Sequence, residues 1–179
     1  TKSFSKIAEK MGYEITTLDI LEKFNPDICC DIMEWDYKKY DTGYFDIIWA
    51  SPNCKDYSCL NRFRDTKRDL TKSNNLVKKV LEIIEYFKPK CWFIENPQSG
   101  SLKDQEFMND IPYNDVDYCK YGFVYRKRTR IYNNSKWNGR LLCKKNNYCI
   151  NKKNNGKHLN FRWVNRDNKK STRWKKRIA

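Results

Sequence analysis

Two short apolar runs flank one long amphipathic stretch, and this arrangement restricts the fold more than any other feature. Residues 45–50 (Phe-Asp-Ile-Ile-Trp-Ala) and 91–94 (Cys-Trp-Phe-Ile) are almost continuously apolar. Runs of that length suit strands covered on both faces, as in a parallel sheet with helices on either side. Between them Leu76, Val77, Val80, Leu81, Ile84 and Phe87 recur at helical spacing, which predicts a helix over residues 71–87. Lys88-Pro89-Lys90 ends it, because proline cannot continue a helix and turns its predecessor away from helical geometry. Strand, helix and strand in that order predict an open, mostly parallel α/β sheet with ligands at the carboxyl ends of its strands.

Upstream, Phe4, Ile7, Ala8 and Met11 predict a helix over residues 2–11, with Gly12 at its C-terminal turn. Residues 14–20 read as a β-branched strand ending in Asp19, and residues 27–32 as a shorter apolar run closed by Asp31. After Asp117 come Tyr118-Cys-Lys-Tyr121, a turn at Gly122 and then Arg130-Ile-Tyr132. From residue 133 the chain becomes polar, Lys/Asn-rich and aperiodic. The expected division is a main domain over 1–132 and a small, irregular, basic C-terminal subdomain over 133–179.

The chain has 179 residues, of which 39 % are hydrophobic and 15 % aromatic, enough for a packed core and against wholesale disorder. Its net charge of +15 calls for a polyanionic partner, first of all nucleic acid. No long basic amphipathic helix and no apolar run of bilayer length appear, so no membrane partner is expected. The 8 cysteines sit mostly in strand-like runs. That fits reactive or metal-binding thiols in a reducing, intracellular compartment better than a disulfide scaffold.

Four groups of residues fall at strand ends. Asp19 is suited to ribose hydroxyls, or is simply a solvated loop carboxylate. Asp31-Ile32 could bond an adenine amino group while the isoleucine packs on the ring, or be an ordinary loop pair. Ser51-Pro52-Asn53-Cys54 puts a thiol on a proline-stiffened turn, where it can attack or merely be half-buried. Glu95-Asn96-Pro97 ends an apolar strand, so Glu95 should be partly desolvated and suited to a general acid or a partner for a ring nitrogen. The rival reading of that turn is a helix cap.

The order of these groups, followed by Arg128-Thr-Arg130, resembles the DNA (cytosine-5) methyltransferases, most nearly their short phage and large-virus-like members. The resemblance covers roughly residues 1–132 and implies a Rossmann-like, S-adenosylmethionine-dependent sheet. It implies a first strand and glycine turn ahead of Thr1, whose tail would be Thr1, Ser3 and Phe4. It further implies Asp19 and Ile20 at the ribose, Asp31 and Ile32 at the adenine, and Pro52 beside the cofactor. Cys54 would be the nucleophile, Glu95 the partner of cytosine N3, and Arg128 and Arg130 the pair near the flipped base and its phosphate.

That chemistry explains the residue types. Cytosine C5 is a poor nucleophile until a thiolate adds at C6, and a group at N3 stabilises the charge that develops. The base must leave the duplex to be reached. Lys55, Arg62, Arg64, Lys67 and Arg68 could hold phosphates there, or form a solvated charged loop. The expected partner is DNA, most simply double-stranded, with RNA as the competing substrate. A catalytically silent nucleic-acid binder of the same fold is the rival from another class.

The family's turn commonly reads Pro-Pro-Cys-Gln, where this chain has Ser-Pro-Asn-Cys-Lys. Cys59 is the nearby rival nucleophile. The recognition region is short, so affinity should come largely from phosphates. Cys119, Cys143, Cys149 and His158 could together bind a structural zinc ion. The alternative is unrelated thiols and a surface histidine.

Overall fold

The computed structural model describes residues 3–58, 69–143, Cys149 and His158. Thr1, Cys59, Arg62, Arg64, Lys67 and Arg68 lie outside the described residues, as does the side chain of Ser3. Helix α1 spans Ser3–Lys10. It ends where predicted, with Gly12 at φ +87° and its N–H donating to Glu9 O at 2.9 Å. The Phe4 ring stacks on Trp49 at 4.6 Å, tying α1 to the next sheet.

Strands β1 (Leu18–Asp19) and β2 (Ile28–Cys29) form a parallel pair, with Asp19 opposite Cys29. The strand expected over residues 14–20 shrinks to two residues. Thr17 donates its N–H and hydroxyl to Asp27 Oδ2 at 2.7 and 2.6 Å, and Asp27 N–H donates back to Thr17 Oγ1 at 3.0 Å. Such local side-chain bonding competes with a ladder.

The larger sheet holds β3 (Ile47–Ala50), β4 (Cys91–Pro97), β5 (Tyr113–Asp117) and β6 (Arg128–Asn133) in the order β3-β4-β6-β5. β3 and β4 are parallel, with Ala50 opposite Ile94. β6 is antiparallel to both β4 and β5. The expected mostly parallel sheet is therefore mixed, because β5 was not foreseen. A short 3-10 turn over Tyr118–Tyr121 and Gly122 at φ +93° send the chain back beside it.

Helix α2 spans Thr71–Phe87, as its spacing predicts, and closes on Lys88 at φ +47°, whose N–H donates to Ile84 O at 2.9 Å. Val77, Val80 and Ile84 pack with Tyr57, Ile94, Leu102, Met108 and Tyr132. Ile83 and Phe87 join Tyr37 in a second cluster. Each such side chain contributes roughly 1.5–3 kcal/mol by leaving water. This packing fixes α2 on β3 and β4, and so fixes the loop between β3 and α2. Among the described residues no helix is long and apolar enough to cross a membrane.

After β6 the chain returns along the edge strand β5. Asn114 Nδ2 donates to Trp137 O at 2.9 Å, Arg140 N–H to the Tyr121 hydroxyl at 2.8 Å, and Cys143 N–H to Asp117 Oδ2 at 2.8 Å. This return brings the chain back to the end of β5 from which it had left.

Candidate active site

Ser51-Pro52-Asn53-Cys54 leaves β3 directly after Ala50, and Glu95 follows Ile94 in β4. Because Ala50 and Ile94 are register partners, both groups lie at the edge of the sheet formed by the carboxyl ends of β3 and β4, with Glu95 still inside β4, which runs to Pro97. Asn53 Oδ1 accepts the Lys55 N–H at 2.9 Å, which tightens the cysteine turn. Asn96, only 1 % exposed, donates from Nδ2 to Pro52 O at 3.4 Å and links the turn to β4. Its Oδ1 is buried with no partner among the described residues. Below the turn, the Tyr57 hydroxyl donates to Asn74 Oδ1 of α2 at 2.7 Å.

Cys54 is half-buried, and burial pushes its thiol above the ordinary range. The Lys127 ammonium lowers it in part and the Glu95 carboxylate raises it. Glu95 is 7 % exposed. Its Oε1 accepts Lys127 Nζ at 3.1 Å and the Tyr118 hydroxyl at 3.3 Å. Burial, then Glu95, push the Tyr118 hydroxyl up, so it stays protonated as a donor. Lys127 was missed in the sequence. It lies inside a basic run, and only the pairing of Thr129 with Pro97 puts the residue two before it at the edge where Glu95 emerges.

Arg128 and Arg130 start β6 at the same edge. Arg128 pairs with Asp117 through Nε and Nη2 at 3.1 and 2.8 Å. Arg130 pairs with Asp115 at 2.8 and 3.0 Å and lies 3.5 Å over the Tyr113 ring. Both guanidiniums are thus oriented by carboxylates of β5, an arrangement the sequence did not foretell.

Asp19 closes β1 and Asp31 follows β2, and each uses one carboxylate oxygen to accept a backbone N–H two residues on, from Leu21 at 2.8 Å and Met33 at 2.9 Å. Ile20 is exposed, whereas Ile32 is half-buried against both apolar clusters. Pro52 is half-buried beside the cysteine, and Phe4 is partly exposed on Trp49. The ligand atoms of Cys119, Cys143, Cys149 and His158 come within 4.8 Å of one another.

The sequence profile of C-5 cytosine-specific DNA methylases matches residues 12–126, a span that holds Asp19, Asp31, Cys54 and Glu95 and stops short of Lys127 and the arginine pair. The "Probable DNA (cytosine-5)-methyltransferase" of Frog virus 3 (isolate Goorha) is 36 % identical over 137 residues. That alignment covers 70 % of this chain and 62 % of the viral protein, so the chain spans under two thirds of its relative's length. The profile match extends over more than half of the residues and includes the turn and strand ends just described, and the chain therefore belongs to the C-5 cytosine-specific DNA methylase family.

Proposed function

We propose that the chain transfers a methyl group to C5 of a cytosine flipped out of DNA. The observation that carries this reading is the emergence of Cys54 and Glu95 from adjacent parallel strands at one sheet edge. The Cys54 thiolate adds to cytosine C6 and breaks the C5–C6 double bond. Glu95 in its protonated form donates its proton to N3 and so neutralises the charge that the ring acquires, leaving C5 nucleophilic. Once C5 carries the transferred methyl, loss of the C5 proton and expulsion of the Cys54 thiolate restore the C5–C6 double bond, and N3 returns its proton to Glu95. Lys127 holds Glu95 in place and favours the thiolate of Cys54.

S-adenosylmethionine supplies an electrophilic methyl when bound. The residues fit such a group: carboxylates at the ends of β1 and β2 can accept ribose hydroxyls and an adenine amino group, and Ile20 and Ile32 offer apolar contacts. This reading takes the two sheets as parts of a Rossmann-like arrangement, with residues 133–179 as the basic recognition tail. Double-stranded DNA is its substrate, in a reducing compartment that keeps Cys54 a thiol.

The test is transfer of a tritiated methyl to duplex DNA and to matched RNA by the full chain and by Cys54→Ser. Label on DNA cytosine that disappears in the variant supports the reading. Label confined to RNA moves the substrate to that polymer, whose 2′-hydroxyl is the discriminating group. Tight DNA binding with no label and no affinity for the methyl donor replaces it with a silent binder.

A further inference from the structure

The geometry points to a structural zinc site formed by Cys119, Cys143, Cys149 and His158, which clasps the C-terminal segment to the end of β5. Cys119, Cys143 and Cys149 are buried, and His158 is half-buried beside them. His158 Nε2 lies 3.6 Å from Cys143 Sγ and 3.4 Å from Cys149 Sγ. The nitrogen–sulfur edge of a tetrahedron around zinc is about 3.6 Å at ordinary Zn–N and Zn–S bond lengths. Both nitrogen–sulfur distances match that edge, and all four ligand atoms lie within 4.8 Å of one another.

Among the described residues the three cysteines group with one another and join neither apolar core. A single disulfide would use two sulfurs and leave the third beside the imidazole. Three sulfurs and an imidazole favour zinc over magnesium or calcium, which prefer oxygen ligands. Four protein ligands leave no open position, so the ion serves the fold rather than methyl transfer.

The position gives the ion its purpose. Cys119 lies in the 3-10 turn that follows β5, Cys143 ends the described segment that returns along β5, and Cys149 and His158 stand beside them. Cys143 N–H donates to Asp117 Oδ2, and Asp117 also holds Arg128 through two bonds. The ion therefore braces the pair that orients Arg128 at the edge where Cys54 and Glu95 emerge.

The full chain, purified reduced and without chelator, is expected to carry one zinc per molecule by elemental analysis. Cobalt(II) in its place is expected to give the intense visible bands of a tetrahedral thiolate site. Cys149→Ser and His158→Ala should each weaken zinc binding tenfold or more, while Cys30→Ser leaves it unchanged. Should those variants fold poorly, the unmodified chain provides the second measurement: a chelator should lower its Tm and added zinc should restore it. Failure of the reduced, unmodified chain to take up zinc, an octahedral cobalt spectrum, or full zinc binding by well-folded Cys149→Ser and His158→Ala would overturn the proposal. These readouts are independent of methyl transfer.

Discussion

Lys127 Nζ lies 3.1 Å from Glu95 Oε1, and this ion pair joins a half-buried ammonium to a carboxylate that is almost wholly enclosed. Removing the ammonium leaves a buried carboxylate short of a partner, which costs about 1–3 kcal/mol. Lys127→Met should therefore lower the Tm, and it should also alter Cys54. The thiolate is the reactive form, so Cys54 reactivity rises with pH through its pKa, which burial already pushes above the ordinary thiol range. Lys127 lowers that pKa, and its loss should move the rise to still higher pH. Peptide-resolved alkylation of Cys54 against pH checks this, and an unmoved curve would refute it.

Glu95→Gln tests the other half of the pair. The amide keeps the shape and hydrogen-bonding capacity but gives up the acid function at the ring nitrogen. Methyl transfer should fall about 10²–10⁴-fold, the usual contribution of a positioned acid or base. Circular dichroism should be unchanged, and Cys54 should still alkylate. Full turnover by Glu95→Gln would remove Glu95 from the chemistry.

Asp117 is fully buried and serves both Arg128 and the backbone of Cys143. Asp117→Ala should cost about 3 kcal/mol, at the low end for breaking a buried pair because Arg128 is partly exposed. Chemical denaturation should show this loss. A double-mutant cycle with Arg128→Met should recover part of it, since the two residues share one interaction.

Gly100 lies between the two turns of the site. A Cβ there would come within 3.2 Å of both Pro97 O and Tyr57 O, backbone atoms that follow Glu95 and Cys54 in the chain. Gly100 N–H already donates to Pro97 O at 3.0 Å, and Ser101 N–H to Tyr57 O at 2.9 Å. Gly100→Ala should push these segments apart and lower kcat more than it lowers Tm, because reacting groups tolerate little misplacement. Steady-state kinetics beside thermal melts measure the split.

The features legible in the sequence were those carried by periodicity or by punctuation. α2 follows from its apolar face and the Cys54 turn from proline after an apolar run, whereas the strand read as ending before Glu95 continues to Pro97, because β6 pairs with it there. β5 was hidden because Tyr-Asn-Asp-Val-Asp is polar, and its carboxylates turn out to serve arginines on the neighbouring strand. β1 was overread because nothing local reveals that Thr17 bonds Asp27. Lys127 was hidden among other cations, since a pairing register is a long-range property. The metal-ligand set was legible only as residue types, and the return of the chain along β5 brings Cys143 to Cys119.

That return has a consequence for solubility. An edge strand with open backbone groups is a template for adding a strand from another molecule. Segment 137–143 lies over β5, and Gly139 approaches so closely that a Cβ would come within 2.8 Å of Val116 Cγ1. A chain that lost this cover would offer β5 to its neighbours, and it would begin to precipitate while Cys54 and Glu95 still stood in place.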